Sequence, residues 1–383
     1  MESPFPNFAR AGHAGHVNRC LSGLPGSQVE IDSSRHADFR FSLALGFYCI
    51  GALDLLGVLQ AKTTETDRTS WRAWIWEQQT QGPHGTGFRP GPFATPDSSS
   101  PEPYTDHDGP HLVMTYTALL TLAILRDDFS QLDRAGLVKF VRACQQEDGR
   151  QDSNCCHVLM VNLSLSFSML PKHGDTDLRT VYCAFCICDM LNDWSGVDVE
   201  RAIKFIRTCR TYEGGYGQAS FYEASGGPTY IALASLHLAP RANGVLPLTP
   251  EQRKKSIHWL IHNQDKCGGF RGRTEKPADA CYSFWCGAAL KILGAADLID
   301  AELHASFLGS CQFKYGGIAK APGENPDPYH TYLSIAALTM YPPNVPGEGS
   351  LSKSWDFETL DPLLNAREET VAWIREHVPA KIN

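Results

Sequence analysis

The sequence predicts an all-α fold, an α/α toroid: a barrel of about six helix pairs arranged as an inner and an outer ring. Two observations carry that prediction. One unit recurs along the 383 residues: a glycine-rich turn, an apolar segment containing a tyrosine, then an amphipathic segment ending in Cys or Gln. The tyrosines are Tyr116, Tyr182, Tyr230, Tyr282 and Tyr332, at spacings of 66, 48, 52 and 50. A period near 50 marks one supersecondary unit repeated. The two segments of each unit also differ in kind. The tyrosine segments, such as PTYIALASLHL and HTYLSIAALTM, are apolar almost all round, so burial on every side is expected. Their partners are one-sided: Leu137, Phe140, Val141 and Cys144, and again Val199, Ala202, Ile203 and Ile206, recur at i, i+3, i+4 and i+7. All-buried helices alternating with half-buried ones imply one ring inside another. On the repeats alone, an open helical solenoid is the alternative.

The first pair is expected from 43–57 (LALGFYCIGALDLLG) and 66–79 (TDRTSWRAWIWEQQ). Glycine turns then punctuate the chain at Gly87-Phe88, Asp148-Gly149, Gly214-Gly215-Tyr216, Gly268-Gly269-Phe270 and Gly316-Gly317-Ile318. Thr249-Pro250-Glu251-Gln252 reads as a helix start, with Pro at the first helical position and Gln three residues after the capping Thr. The spacing of 66 exceeds the others by about 16, which matches 151–166 (QDSNCCHVLMVNLSLS), a stretch without the repeat's composition. It is expected to be a loop insertion or a gene-model artefact such as a retained intron. Sequencing the mature transcript over those codons distinguishes the two. The expected organisation is an N-terminal segment 1–34, a toroid 35–345, and a tail 346–383 with a short helix near 367–377.

Bulk properties narrow the function. With 43% hydrophobic and 20% charged residues, the composition is that of a soluble globular protein. A net charge of −8 argues against broad binding to nucleic acid or anionic membranes. No apolar run is long enough to span a bilayer. The N-terminal Met-Glu-Ser-Pro-Phe-Pro lacks the basic region and apolar core of a secretory signal, so a cytoplasmic location is expected. Thirteen cysteines then read as reduced thiols rather than a disulfide framework. Cys183, Cys186, Cys188 and Cys286 sit among apolar residues, as small core residues do.

The chemistry gathers around Asp279-x-Cys281 and His330. They offer an oxygen, a sulfur and a nitrogen, which is three protein ligands for a zinc ion with the fourth position open, as in catalytic sites. Taken singly, they also read as a helix cap, a core thiol and a surface histidine. Their positions favour the metal: both sets fall just before an inner segment, at equivalent places in successive repeats. Inner helices of a toroid start at one end of the barrel, so the ligands converge on one rim, where helix N-termini also present free N–H groups. Arg271, Arg273 and Lys276 precede Asp279, Tyr282 follows Cys281, and Lys320 follows the next glycine turn. Arginine forks and lysine point charges suit phosphate oxygens, although such residues also form solvated basic loops. No P-loop or Rossmann fingerprint accompanies them.

Three long segments, HGDTDLRTVYCAFCICDMLNDWSGVD, GGFRGRTEKPADACYSFWCGAALKIL and GGIAKAPGENPDPYHTYLSIAAL, resemble the β subunits of protein prenyltransferases, most closely the type I geranylgeranyltransferase branch. The resemblance runs over about 35–340, apart from 151–166. It implies an α/α toroid that transfers an isoprenoid from its diphosphate to a cysteine near a protein's C-terminus, as an obligate heterodimer with a helical-repeat α subunit. It also implies one zinc per β subunit, held by Asp279, Cys281 and His330, with the substrate cysteine entering the fourth position as thiolate. By the same resemblance Arg273, Lys276 and Tyr282 face the diphosphate, Arg179 lines the peptide region, and Tyr182 and Trp285 surround the isoprenoid. The donor implied is geranylgeranyl diphosphate. The acceptors implied are Cys-a-a-X proteins such as Rho-type small GTPases, with X often Leu.

Three positions bear on the branch. Lys320 stands where farnesyltransferases resemble one another in carrying a magnesium-linked Asp. A lysine supplies the cation directly, so magnesium is expected to be dispensable. Leu333 stands where they carry Tyr. Ala44, counted back without gaps from Asp54, stands where they carry a Trp that closes the isoprenoid pocket. Smaller residues at that wall leave room for a C20 chain over C15. The stretch 36–42 looks like extra sequence beside the family pattern. One residue departs from it: in EASGGPTY, Ser225 replaces a histidine that donates to the diphosphate. Losing that charge-assisted hydrogen bond costs about 1.5–3 kcal/mol. The alternatives are a farnesyltransferase β subunit, a Rab-type β subunit, whose motifs match less closely, and a non-catalytic prenyltransferase-like binding subunit. Terpene cyclases share the toroid, but their Asp-x-Asp-Asp motif is absent.

Overall fold

In the structure, a computed structural model that describes residues 7–22, 42–91, 109–145, 166–171, 173–240, 246–345 and 350–380, two helical segments alternate along the chain. Short helical turns aside, they are α1 (Arg10–Ser22), α2 (Ser42–Leu55), α3 (Glu65–Trp76), α4 (Leu112–Ile124), α5 (Arg134–Cys144), α6 (Leu178–Leu191), α7 (Val199–Thr208), α8 (Gly226–Leu238), α9 (Pro250–Ile261), α10 (Ala280–Ile292), α11 (Ala301–Ser310), α12 (Pro328–Met340) and α13 (Glu368–His377). The apolar segments form the even-numbered helices α2 to α12. Each packs against the next, and α12 packs back onto α2. The ring is therefore closed, which excludes the open solenoid. The odd-numbered helices α1 to α11 pack on its outside. Their apolar stripes face inward as expected: Leu137, Phe140, Val141 and Cys144 of α5 are all buried. The Thr249 capping box at the start of α9 is present with both of its hydrogen bonds. Among the described residues there are also three two-stranded antiparallel hairpins: β1 (Gln79–Gly82) with β2 (Gly85–Phe88), β3 (Ser168–Leu170) with β4 (His173–Thr176), and β5 (Leu360–Asp361) with β6 (Ala366–Arg367).

The outer helix that closes the ring comes from the segment expected to precede the toroid. Helix α1 packs against α2 and α12. Its Gly12 lies against Gly316, whose φ of +95° and contact with the Gly12 backbone leave no room for a side chain. Gly268 docks on α11 in the same way, against the backbone of Leu303. His13 joins α1 to the turn: its Nδ1 accepts from Gly317 N at 3.0 Å, and its Nε2 bonds Gln312 Oε1 at 2.9 Å. Burial holds the His13 pKa down to about 4, so the ring is neutral and can accept.

The repeat tyrosines form a belt inside the barrel. Tyr116, Tyr182, Tyr230 and Tyr332 are each the fifth residue of their helix. In α10 that place belongs to Phe284, so Tyr282, two residues earlier, is not the repeat's aromatic residue as the spacing suggested. Ring centroids are 5.5 Å apart for Tyr116–Tyr182, 5.7 Å for Tyr182–Tyr230 and 5.1 Å for Tyr230–Phe284, and Phe47 of α2 sits 5.0 Å from Tyr332. Four hydroxyls donate to four consecutive carbonyls in the turn between β5 and β6. Tyr230 reaches Pro362 at 2.9 Å, Tyr182 reaches Leu363 at 2.9 Å, Tyr116 reaches Leu364 at 2.8 Å and Tyr332 reaches Asn365 at 2.6 Å. Each buried hydroxyl and carbonyl thereby satisfies the other. Helix α13 then lies over the C-terminal ends of the inner helices. Thr370 donates to Asp54 at the end of α2 (3.0 Å), and Trp373 Nε1 donates to the Asp127 carbonyl beyond α4 (2.7 Å). With that end covered by the tail, the opposite rim carries the N-termini of the inner helices.

The described cysteines are free thiols, and Cys183, Cys186, Cys188 and Cys286 are buried. Among the described residues no helix is long and apolar enough to cross a membrane. Residues 151–165, the Asp148-Gly149 turn and most of 36–42 lie outside the described residues.

Candidate metal centre

The rim is built from helix caps. Asp177, Ser225, Asp279 and Asp327 are the N-caps of α6, α8, α10 and α12. Asp279 Oδ1 accepts from Cys281 N at 3.0 Å, the bond that defines the start of α10. One repeat later Asp327 Oδ1 accepts from His330 N at 2.9 Å, and its Oδ2 bonds His330 Nδ1 at 2.6 Å. That second bond fixes the imidazole and leaves Nε2 directed at Asp279 Oδ1, 3.4 Å away. Cys281 is buried beside them, and the three ligand atoms of Asp279, Cys281 and His330 all lie within 4.8 Å of one another. The two halves of the motif therefore meet, as the repeat phase predicts.

The donor set fits a single zinc. Ligands bound at roughly 2.0–2.3 Å with tetrahedral angles stand about 3.3–3.8 Å apart. The Nε2–Oδ1 separation of 3.4 Å already matches that edge. A carboxylate on the far nitrogen of a metal-ligating histidine is the usual outer-shell partner, and Asp327 supplies it.

Without a metal, a proton fills the cation's place. Burial works against charge on His330, but Asp279 and Asp327 outweigh it and raise its pKa to about 11. Burial pushes the Cys281 thiol up, and the Asp279 charge adds to that. Burial opposes ionisation of Asp279 as well, yet the bonds from His330 and Cys281 hold its carboxyl below the usual range. The metal-free cluster is an imidazolium between two carboxylates, next to a neutral thiol.

Two backbone bonds bring the cationic loops to this rim. Gly226 N at the start of α8 donates to Gly272 O, and Ala280 N at the start of α10 donates to Lys320 O, both at 2.8 Å. The first sets Arg273 beside Ser225, and the second sets Lys320 beside the metal ligands. The Tyr282 ring lies on Gly272 and on Gly226, next to Ser225, where a Cβ at either glycine would collide with it. Lys276 and Lys320 are exposed. Arg273 is paired with Glu223 at 2.7 Å, and both are about half exposed. Arg271 is committed to Asp265, away from this group. Arg179, at the start of α6, pairs with Asp177 at 2.6 Å.

The expected isoprenoid residues fall on the inner helices. Tyr182 belongs to the aromatic belt. Trp285 is half-buried, 5.3 Å from Tyr230, and donates to the Tyr329 hydroxyl at 3.1 Å. Leu333 and Ala44 are buried on α12 and α2, which pack together. Sequence reasoning missed four residues here. Asp327 has a signal, since it stands before α12 as Asp279 stands before α10. Tyr48 lies one turn after Ala44, 5.4 Å from Tyr329 and 5.7 Å from Tyr332. Tyr329, next to His330 in α12, accepts the hydrogen bond from Trp285. Nothing in the pattern marks Glu223.

Residues 8–366 match the family described as the prenyltransferase alpha-alpha toroid domain. The chain is similar to the geranylgeranyl transferase type-1 subunit beta of Arabidopsis thaliana, 35% identical over 355 residues, which cover 89% of this chain and 87% of that protein. It is similar to the protein of the same description from Dictyostelium discoideum, 35% identical over 315 residues, covering 78% and 83%. Among solved structures it resembles a chain of the Candida albicans protein geranylgeranyltransferase-I complexed with GGPP, at a TM-score of 0.79 and 24% identity, covering 98% of this chain and 100% of that one. That likeness is one of fold, and it agrees with the alpha-alpha toroid that the family's description names.

Proposed function

The chain belongs to the prenyltransferase α/α toroid family, and on that premise we propose that it acts as the catalytic β subunit of a type I protein geranylgeranyltransferase. It transfers a C20 group from geranylgeranyl diphosphate to the cysteine of C-terminal Cys-a-a-X motifs. The observation that carries this reading is the cluster of Asp279, Cys281 and His330, oriented by Asp327 and flanked by the loops of Arg273 and Lys320. A zinc ion bound there would hold the substrate cysteine as a thiolate at neutral pH, where a free thiol with pKa of about 8.5 is mostly protonated.

The remaining work falls to the chain's own groups. Asp279, Cys281 and His330 would hold the cation, and Asp327 keeps His330 Nε2 turned toward Asp279. Arg273, Lys276, Lys320 and Tyr282 stabilise the negative charge that grows on the leaving diphosphate. Arg273 exchanges Glu223 for a phosphate oxygen, and Ser225, next to the Tyr282 ring, offers a hydroxyl to the same group. Lys320 supplies a fixed cation, so magnesium is not required. Tyr182, Trp285, Leu333 and Ala44 line the isoprenoid's path, and Arg179 contacts the acceptor peptide. The partner is a prenyltransferase α subunit, the acceptors are proteins of the Rho-type GTPase class, and the reaction takes place in the cytoplasm. Helix α1 and residues 35–345 together make the catalytic toroid, with 151–166 an insertion in it.

The test is transfer by the chain co-expressed with its α subunit, using a Cys-a-a-Leu peptide and each diphosphate in turn. Preference for the C20 donor, unchanged by magnesium chelation, is expected. Preference for farnesyl diphosphate, or a strict magnesium requirement, contradicts it. Ser225 in place of histidine favours one second reading, a non-catalytic subunit. That protein would bind the isoprenoid diphosphate without turnover.

A further inference from the structure

The outer helix α9 carries two histidines that the transfer chemistry does not use. His258 and His262 stand four residues apart, which makes them neighbours on one helix face. The face that α9 buries is Ser256, Trp259 and Leu260, and both histidines are exposed. Their rings are stacked, with centroids 4.1 Å apart and planes inclined by 28°.

One of the two rings is already oriented. His262 Nδ1 lies 2.8 Å from the His258 carbonyl. A carbonyl only accepts, so Nδ1 carries a proton and donates it, and in the neutral ring the lone pair sits on Nε2. A backbone carbonyl on the far nitrogen is a common way to orient a metal-ligating histidine. His377 makes the same kind of bond, to the Trp373 carbonyl, but its ring stacks on the Trp373 indole, which cannot ligate. At His262 the stacked ring is a second imidazole. Two ring nitrogens bound to one ion at roughly 2.0–2.1 Å stand about 3 Å apart. Exposed rings already in contact reach that separation by side-chain rotation. The pair also sits at the C-terminal end of α9, where His262 is the cap residue. The helix dipole favours a cation there.

We propose that His258 and His262 form a bidentate, exchangeable site for a divalent transition metal of the class that imidazole prefers, such as zinc, nickel or copper. The pair offers two nitrogens and no oxygen, which suits those ions rather than magnesium or calcium. His-Trp-Leu-Ile-His has the histidine spacing of helical zinc sites, but Trp259 stands where the hydrolytic ones carry a general-base Glu. The site therefore binds and does not hydrolyse. With two protein ligands it holds its ion less tightly than the three of Asp279, Cys281 and His330. A bound ion ties the last turn of α9. Just beyond that turn Asn263 O accepts from Arg271 N at 2.8 Å, and Arg271 opens the loop of Arg273 and Lys276. The site stands whether or not the chain transfers an isoprenoid.

The test uses the full chain in complex with its α subunit, free of affinity tags and loaded with one zinc, titrated calorimetrically with nickel chloride. One further ion per chain is expected, displaced by added zinc. His258→Gln and His262→Gln should each weaken it by about tenfold or more, since each removes the ligand that closes the chelate at high effective concentration. Both residues are exposed, so the variants should melt at the wild-type temperature without nickel; nickel should raise the melting temperature of the wild type and not that of the double variant. Zinc-supported transfer should be the same in all of them. No further nickel bound by the wild type, or nickel bound equally by the double variant, overturns the proposal.

Discussion

Loading the metal-free chain with zinc at pH 7 should release about two protons per ion. The count follows from the cluster. His330, with its pKa raised to about 11, is protonated before the metal arrives. Cys281, raised above the ordinary thiol value, is also protonated. Asp279, held below the usual carboxyl range, is already ionised and contributes nothing. A ligand must be deprotonated to bind, so one proton leaves from each of two residues. Each proton displaced makes the apparent affinity rise about tenfold per pH unit, so two give about 100-fold between pH 6 and 7. Calorimetric titration in buffers of different ionisation enthalpy reads the number directly, as the slope of observed enthalpy against buffer enthalpy. Cys281→Ser should lower the slope to about one. A wild-type slope near zero, or an affinity independent of pH over this range, would refute the assignment of His330 and Cys281 as ligands.

Removing the carboxylate that orients His330, by Asp327→Asn, should weaken zinc binding about 10–100-fold in competition with a chromophoric chelator; unchanged affinity would show that Asp327 acts only as a cap. Ser225→His should tighten diphosphate binding or raise turnover by about tenfold or more, the worth of one charge-assisted hydrogen bond; no gain would mean that Ser225 and Tyr282 already suffice. Acid should destabilise the chain through two buried histidines, His13 and His304, both held down to about 4 by burial. His304 has neither ring nitrogen hydrogen-bonded. Because these folded-state values lie below the unfolded value of about 6.5, the stabilisation is complete above that pH and is lost as pH falls from there toward 4, by about 2 kcal/mol per residue between pH 7 and 5. Urea unfolding at both pH values should show this loss, and His304→Leu should remove its share; an unchanged pH slope in that variant would contradict the sign or the burial.

The inner ring was readable because its helices are apolar all round, a property no surface helix shares. Its closure was not, since the packing of α12 on α2 joins the two ends of the ring, and no local pattern reports that. Helix α1 escaped notice for a different reason. Its buried face is His13, Ala14, Val17 and Leu21, too few large aliphatics to stand out, and its fit depends on glycine and a neutral imidazole. The turn at 362–365 was invisible because it offers the tyrosines backbone carbonyls, which every sequence carries. At the site, Asp279, Cys281 and His330 were legible because cap positions repeat. The same regularity misled at Tyr282, where spacing alone suggested a belt residue and the helix register assigns Phe284. Asp327 was readable in principle, by aligning the caps rather than the tyrosines.

The most direct measurement is single-turnover transfer by the co-expressed heterodimer, preloaded with geranylgeranyl diphosphate and prepared at graded zinc contents. A thiolate held by zinc at Asp279, Cys281 and His330 predicts product in proportion to bound metal, up to one per chain, and none from Cys281→Ala. Full transfer by zinc-free protein, or full zinc occupancy without any transfer, would contradict it.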